Sequence, residues 1–501
     1  MKIDSINMSA INLVDINQKL SAEEFSDDDF EQYHRFSETD GKILRRLMAP
    51  GPVLLRGPRG SGKSAYMREA HKIIRESRGT VVSVYISLRY FPLIISRSEN
   101  YLGTLIPYVG RHIEDEFKNL GFSVDLKISS IEDINGVLNN LCVKFDKRLV
   151  IFFDDVAHIG REISLAGFFD FFRTISSSTV SCKASIYPGV TKFGSRFDLY
   201  SDATVVEAQR DERSRDFSSF FRELIEVRHP GLMDRCEARL QPLIPMLIGR
   251  AVLGNIRAFN AFCEELAEKG DRITVYTVAD ALKWLASGYL YPALEELQTK
   301  LGAYTPMLDT AEKIAPVFFD ECGRKRVNSM LVHRDNVQRL GKIFEILEYT
   351  GLIAKREASR SLSKSGSGRG PRYALSLGPL FEQVPGGTLS YELIEELTRI
   401  SVLNSEMVEY SPSSFLSQYD CPTPEEDESL DVIDLPIEKL KAGTALPYGL
   451  TQIMIDSLKE YGWRKISDIA PLSVNELRAV PNIGKAKAER IKSAVEQAIW
   501  M

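Results

Sequence analysis

A chain of 501 residues that is 44% hydrophobic and carries a net charge of −6 has material for several cores, about three folded units at roughly 150 residues per domain. The acidic balance excludes a globally basic nucleic-acid binder, so any grip on phosphate must come from local patches. Six scattered cysteines without a CxxC pair argue against a zinc site and read as reduced thiols, while the lack of a leader-like start or of an apolar run near 18 residues predicts a cytoplasmic protein with no membrane contact.

After an N-terminal extension (1–30), residues 52–64 read as a short apolar strand, the pattern GxxxxGKS and the start of a helix. In that order Gly57, Pro58, Arg59, Gly60, Ser61, Gly62, Lys63, Ser64 and Ala65 form a loop whose amides face phosphate oxygens, with the positive end of a helix behind them. Lys63 is expected to reach the β- and γ-phosphates of ATP, and Ser64 to hold Mg2+. A second strand is expected over 81–86. The run 149–155 is apolar and ends in Asp154 and Asp155, as a buried parallel strand delivering carboxylates to a ligand would. Asp154 is expected to serve Mg2+ and Asp155 the attacking water. One extra strand between the two motifs is similar to the arrangement in the class of P-loop ATPases that includes the AAA+ family, many of which carry Glu where this chain has Asp155.

That resemblance implies further roles. Residues 184–189 read as a fourth strand, where AAA+ ATPases place a polar sensor of the γ-phosphate; Tyr187 and Thr191 are both candidates. Residues 194–197 precede a fifth strand (203–206) and resemble the position of the family's trans-acting arginine finger. Arg196 is the candidate, and a finger implies a homo-oligomer joined through the ATPase domains. From 211 to 300 apolar residues recur three and four apart, as in a helical lid. Within it the run 253–258 resembles the family's second sensor, with Arg257 reaching back to the nucleotide.

Residues 301–400 read as helices followed by strands over 351–356 and 372–377, joined by a flexible Ser- and Gly-rich loop: the outline of a winged helix. Lys355, Arg356, Arg360, Lys364, Arg369 and Arg372 face Glu357 as the one acid of that stretch, and are expected to bind DNA phosphates. Residues 401–444, rich in Ser, Pro and acids, read as a flexible acidic linker. The last stretch (445–501) spells helix, tight hairpin and helix. Ser473 and Glu476 form a capping box, Asn482 and Gly484 suit a turn, and the amides of Ile483, Gly484 and Lys485, with the side chains of Lys485 and Lys487, are placed to hold a phosphate. Its Pro-Asn-Ile-Gly-Lys run resembles the C-terminal domain of the bacterial RNA polymerase α subunit, a helix-hairpin-helix relative that binds DNA. Such modules also serve as protein adaptors.

The expected fold class is therefore an α/β P-loop AAA+ core (31–210) with a helical lid, followed by an α+β winged helix and a small all-α helix-hairpin-helix domain. In that layout the chain resembles origin-recognition-type initiator ATPases. The resemblance implies an ATPase that binds double-stranded DNA in an ATP-switched way and loads or recruits a protein partner, in replication, transposition or antiviral defence. STAND-type signalling ATPases also end this strand in two aspartates. They imply the alternative, a sensor whose C-terminal module recognises a protein.

Overall fold

The protein is described from a computed structural model covering residues 22–77, 79–88, 101–126, 128, 131–156, 165–189, 193, 197–299, 301, 304–362, 368–385, 388–399, 407–422, 435–442, 449–470 and 472–500. Helices α1 (Asp27–Tyr33) and α2 (Asp40–Met48) lead into β1 (Val53–Arg56) and α3 (Lys63–Ser77). Then come β2 (Val81–Ser87), α4 (Tyr101–Asn119), α5 (Ile131–Phe145), β3 (Arg148–Asp154), α6 (Leu165–Ile175), β4 (Val180–Ile186) and β5 (Thr204–Glu207). The five strands form one parallel sheet in the order β2-β3-β4-β1-β5. Strand β4 is thus inserted between the two that carry the phosphate loop and the paired acids. Both β3 and β4 are buried along nearly their whole length, which is why β3 is spelled as an unbroken apolar run rather than an alternation.

Strand β4 begins earlier than the expected residue 184 because it carries polar residues that are nevertheless buried. Lys183 Nζ donates to the carbonyls of Ala49 (2.6 Å) and Gly51 (2.5 Å), and Ser181 Oγ accepts the Gly51 amide (3.0 Å). Satisfied in this way, both sit in the core without an orphaned polar group.

The next helices are α7 (Phe217–Arg228), α8 (Ile244–Ala251), α9 (Ile256–Glu268) and α10 (Val275–Trp284), the last passing into a π-helical turn, Leu285–Leu290. A third module follows: α11 (Pro306–Arg324), β6 (Ser329–Val332), α12 (Arg334–Arg339), α13 (Gly341–Thr350), β7 (Ile353–Ser361), β8 (Arg369–Leu375), α14 (Leu377–Glu382), α15 (Tyr391–Thr398) and β9 (Val408–Tyr410). Its sheet runs β7-β8-β6-β9. One continuous apolar core, from Phe217 through Phe259 and Phe318 to Leu416, is shared by the α7–α10 helices and this module, so the two are packed as a unit.

Two expectations change here. Most of the described residues of the loop 357–371 are strand, since Arg360 pairs with Gly370 and Ser361 with Arg369. Parts of the stretch 401–444 are packed: β9 pairs in parallel with β6, burying Val408 and Tyr410, and Ile437 and Leu440 enter the C-terminal core. Isolated apolar residues in a polar stretch gave no periodic signal, and their partners lie far away in sequence.

The C-terminal module has its own core, built from Leu440, Leu450, Ile455, Ile466, Ile491 and neighbours. It comprises α16 (Gln452–Glu460), α17 (Ile466–Ile469), α18 (Val474–Leu477) and α19 (Lys485–Trp500). Ser473 and Glu476 form the capping box expected of them, and Asn482 takes the turn at φ +66. Among the described residues no helix is long and apolar enough to cross a membrane.

Candidate nucleotide site

The loop after β1 turns through Gly60 (φ +85) and Gly62 (φ +90), conformations that L side chains rarely adopt. A Cβ at Gly60 would also lie 2.4 Å from Asn255 Oδ1 and 2.7 Å from Arg257 Cβ. Glycine is what lets α9 come this close. Asn255 caps α9 by accepting the amides of Arg257 and Ala258, both at 3.1 Å, and its Nδ2 donates to the Arg59 carbonyl (2.6 Å). The Ile256 amide donates to Gly60 O (3.0 Å). A single cap residue thus joins the helical region to the phosphate loop.

Lys63, in the first turn of α3, is buried. Its Nζ donates to the carbonyls of Gly57 (2.8 Å) and Pro58 (3.0 Å) and lies 3.7 Å from the centroid of the Tyr187 ring. Burial lowers its pKa to about 7, against the opposing pull of Asp155 and Asp154. Asp154 is fully buried at the end of β3. Its Oδ1 accepts the Ser185 hydroxyl (2.7 Å) and the Asp155 amide (3.0 Å), and its Oδ2 accepts the Tyr85 hydroxyl (2.6 Å). Asp155 follows at φ +53 with the Tyr187 hydroxyl 3.4 Å from its Oδ1. A non-glycine residue in the left-handed region is uncommon and here turns the chain off the strand end.

These groups fit a metal-bound polyphosphate. Lys63 lies in a glycine-turned loop at the start of a helix, beside two carboxylates, and Mg2+ is usually held by one or two protein oxygens with phosphates and water completing its shell. Ser64 and Asp154 would supply those oxygens. A cleft of about 930 Å³, lined by Arg59, Asn255, Arg257, Tyr289, Glu312 and Tyr349 among others, opens beside the loop.

The structure brings Lys63, Asp154, Asp155 and Tyr187 together. Arg257 is exposed in the first turn of α9, close enough for its charge to oppose protonation of Lys63. Thr191, Arg196 and Lys364 lie outside the described residues. Reading the sequence missed Tyr85, Ser185 and Asn255. Of these, Ser185 could have been found as a hydroxyl inside an apolar run. It also missed Arg210, which is buried behind the loop, donating to Asp40 (3.2 Å) and to the Ser61 carbonyl (3.4 Å). No local pattern marks it.

The expected DNA contacts fare differently. Arg356 Nε donates to Glu212 (2.7 Å) and Nη2 to the Leu253 carbonyl (3.1 Å), and both acid and base are 2% exposed. Arg372, wholly buried, donates to Ser329 Oγ (2.8 Å) and Glu357 (3.0 Å) and stands 3.8 Å from Glu212. These two arginines are committed to ion pairs and do not face a phosphate. The expectation failed because Glu212 comes from the junction between β5 and α7, far from the hairpin in sequence. Lys355 and Arg360 are half-buried, the latter 3.5 Å from Glu357, and exposed Arg369 bonds the hydroxyls of Ser359 and Ser361. At the C-terminal turn the Ile483 amide is used by Val480 O (3.1 Å) and is withdrawn from the expected set. Lys487 donates to Asn482 O (2.8 Å), whereas Lys485 remains 74% exposed, 3.9 Å from Glu489, and opens α19 after Gly484.

The third module packs on the site itself. Arg56, the last residue of β1, lies 3.7 Å from Glu348 and 4.0 Å from Glu345 of α13. The rings of Tyr187 and Tyr349 are 5.4 Å apart, and Lys342 donates to the Gly189 carbonyl.

No family model and no curated protein matches the chain. Among solved structures, the ORC1 protein of Aeropyrum pernix in complex with DNA is similar at 15% identity and TM-score 0.29, over 73% of this chain and 92% of that one. Cdc6p of Pyrobaculum aerophilum is similar at 13% and 0.31, over 75% and 99%. Domain III of the Thermotoga maritima replication initiation protein DnaA is similar at 15% and 0.30, over 52% and 96%. Likenesses this distant carry no argument about what the chain does.

Proposed function

We propose that the chain is an AAA+-type ATPase that binds duplex DNA under the control of ATP. One observation carries the ATP half of this reading: Lys63, Asp154 and Asp155 come together at the carboxyl end of the parallel sheet, with Lys63 buried against the Gly57 and Pro58 carbonyls and the Tyr187 ring. In this reading Lys63 and the loop amides bind the phosphates, Ser64 and Asp154 hold Mg2+, and Asp155 orients the attacking water. Mg2+ when bound supplies the charge that stabilises the leaving phosphate oxygens. Arg257 senses the nucleotide through Asn255 and the loop. Arg196 of a neighbouring subunit completes the site in an oligomer.

The DNA half rests on smaller ground: the helix-strand-helix-helix-hairpin order of 306–375, read as a winged helix, and the turn before α19, read as a helix-hairpin-helix. The remaining candidate contacts are Lys355, Arg360, Arg369, Gly484, Lys485 and Lys487. Each phosphate contact adds about 0.9 to the slope of log affinity against log salt on duplex DNA.

A second reading is favoured by the docking of α13 on the nucleotide site. Here the chain is a STAND-like switch in which exchange at Lys63 releases the third module, and the C-terminal module recognises a protein. Duplex affinity measured against salt, with and without ATP, tests the two. Steep salt dependence that shifts with ATP and flattens in the Lys485→Ala, Lys487→Ala double variant is the expected result. ATP binding with no affinity for DNA at any salt would overturn the first reading in favour of the second.

A further inference from the structure

Strand β5 is the open edge of the parallel sheet: among the described residues it pairs with β1 alone. The amides of Thr204 and Ala208 donate to the carbonyls of Pro52, just before β1, and of Arg56, its last residue, so by the alternation of a parallel strand those of Val205 and Glu207 face away from the sheet. Beside this edge runs a groove of about 680 Å³, walled by one face of α2 and by Thr204, Val205 and Val206. The α2 face presents Lys42, Arg45 and Arg46, spaced as neighbours on one side of a helix, with Ala49 just past its end. All three bases are exposed and have no ion pair among the described residues, while Ile43 supplies an apolar floor. In a chain with six more acids than bases, three adjacent cations without an ion pair among the described residues make this face a local basic patch.

Bases beside an open edge discourage the edge from pairing with a copy of itself, and by the same charge they select an acidic strand. An added strand draws affinity from main-chain hydrogen bonds and specificity from its side chains. Residues 425–434 of this chain, Glu-Glu-Asp-Glu-Ser-Leu-Asp-Val-Ile-Asp, hold six acids, no base and three apolar residues. They lie outside the described residues.

We propose that the α2 and β5 groove is a docking site for the acidic segment 425–434, which pairs with the outer edge of β5 while its carboxylates meet Lys42, Arg45 and Arg46. This surface uses none of the nucleotide-site residues, and its assignment stands apart from the function proposed above. A nucleic-acid strand could satisfy the bases, but it would leave the outward amides and the apolar floor unused.

Hydrogen exchange at Val205 and Glu207 in the full chain at low salt is the test. One variant neutralises the segment (Glu425→Gln, Glu426→Gln, Asp427→Asn, Glu428→Gln, Asp431→Asn, Asp434→Asn), and a second reverses the groove (Lys42→Glu, Arg45→Glu, Arg46→Glu). Both should exchange faster than the parent, on the order of tenfold. A synthetic peptide of residues 423–435 should restore protection to the first variant and leave the second unchanged. Protection that survives dilution assigns the strand to the same chain, and protection lost on dilution assigns it to a second copy; either supports docking. Equal exchange in the parent and the neutralised segment, which alters no described core residue, would overturn the proposal. So would protection of that variant by duplex DNA but not by the peptide.

Discussion

Two sets of buried cations in this molecule are held in opposite ways. Arg356 and Arg372 meet carboxylates directly, Glu212 at 2.7 Å and Glu357 at 3.0 Å. The Lys63 ammonium meets two carbonyl oxygens and a tyrosine face instead. A buried charge is costly unless paired. The arginines offset that cost within the protein and hold β7 and β8 against the junction between β5 and α7. Lys63 makes no direct carboxylate contact, and burial lowers its pKa as it does that of Arg372. Lys183, buried and met by the Ala49 and Gly51 carbonyls, shows that neutral partners alone do not mark a waiting cation; Lys63 is set apart by its place in the phosphate loop beside Asp154 and Asp155.

The largest expected effect breaks the first set. Glu212→Gln leaves two buried guanidinium groups facing too little negative charge, and should cost about 3–5 kcal/mol in denaturant unfolding. ATP affinity of the folded fraction should stay near that of the parent. A variant as stable as the parent would show that the pairs are not structural.

Breaking the second set should do the reverse. Lys63→Ala should weaken ATP on the order of 100-fold, since charge-assisted hydrogen bonds contribute about 1.5–3 kcal/mol each. Unfolding should hardly change, because a poorly paired buried ammonium is removed. Equilibrium binding of a fluorescent ATP analogue measures this, and undiminished affinity would place Lys63 among the structural cations.

The same contrast explains what the sequence disclosed. The phosphate loop is a contiguous spelling whose glycines dictate its conformation, and β3 announces its burial as an apolar run. Lys63, Asp154 and Asp155 were therefore legible. Tyr85 and Asn255 were not, because each acts through a partner on another element, Asp154 on β3 and Arg59 in the loop. The hairpin arginines were misread for the same reason. Their local neighbourhood shows one acid, and the acid that decides their orientation lies more than a hundred residues upstream.

The most direct test of Lys63 as the waiting cation is calorimetric titration of Mg2+ and ATP into the parent protein at about pH 8, in two buffers of different ionisation heat. With its pKa near 7 in the free protein, Lys63 is mostly neutral at that pH, and bound phosphates raise its pKa by favouring the charged form. Binding should then take up close to one proton per ATP, and affinity should fall as pH rises through 7. Saturable binding with no difference between the buffers, or no binding at all, would contradict the account.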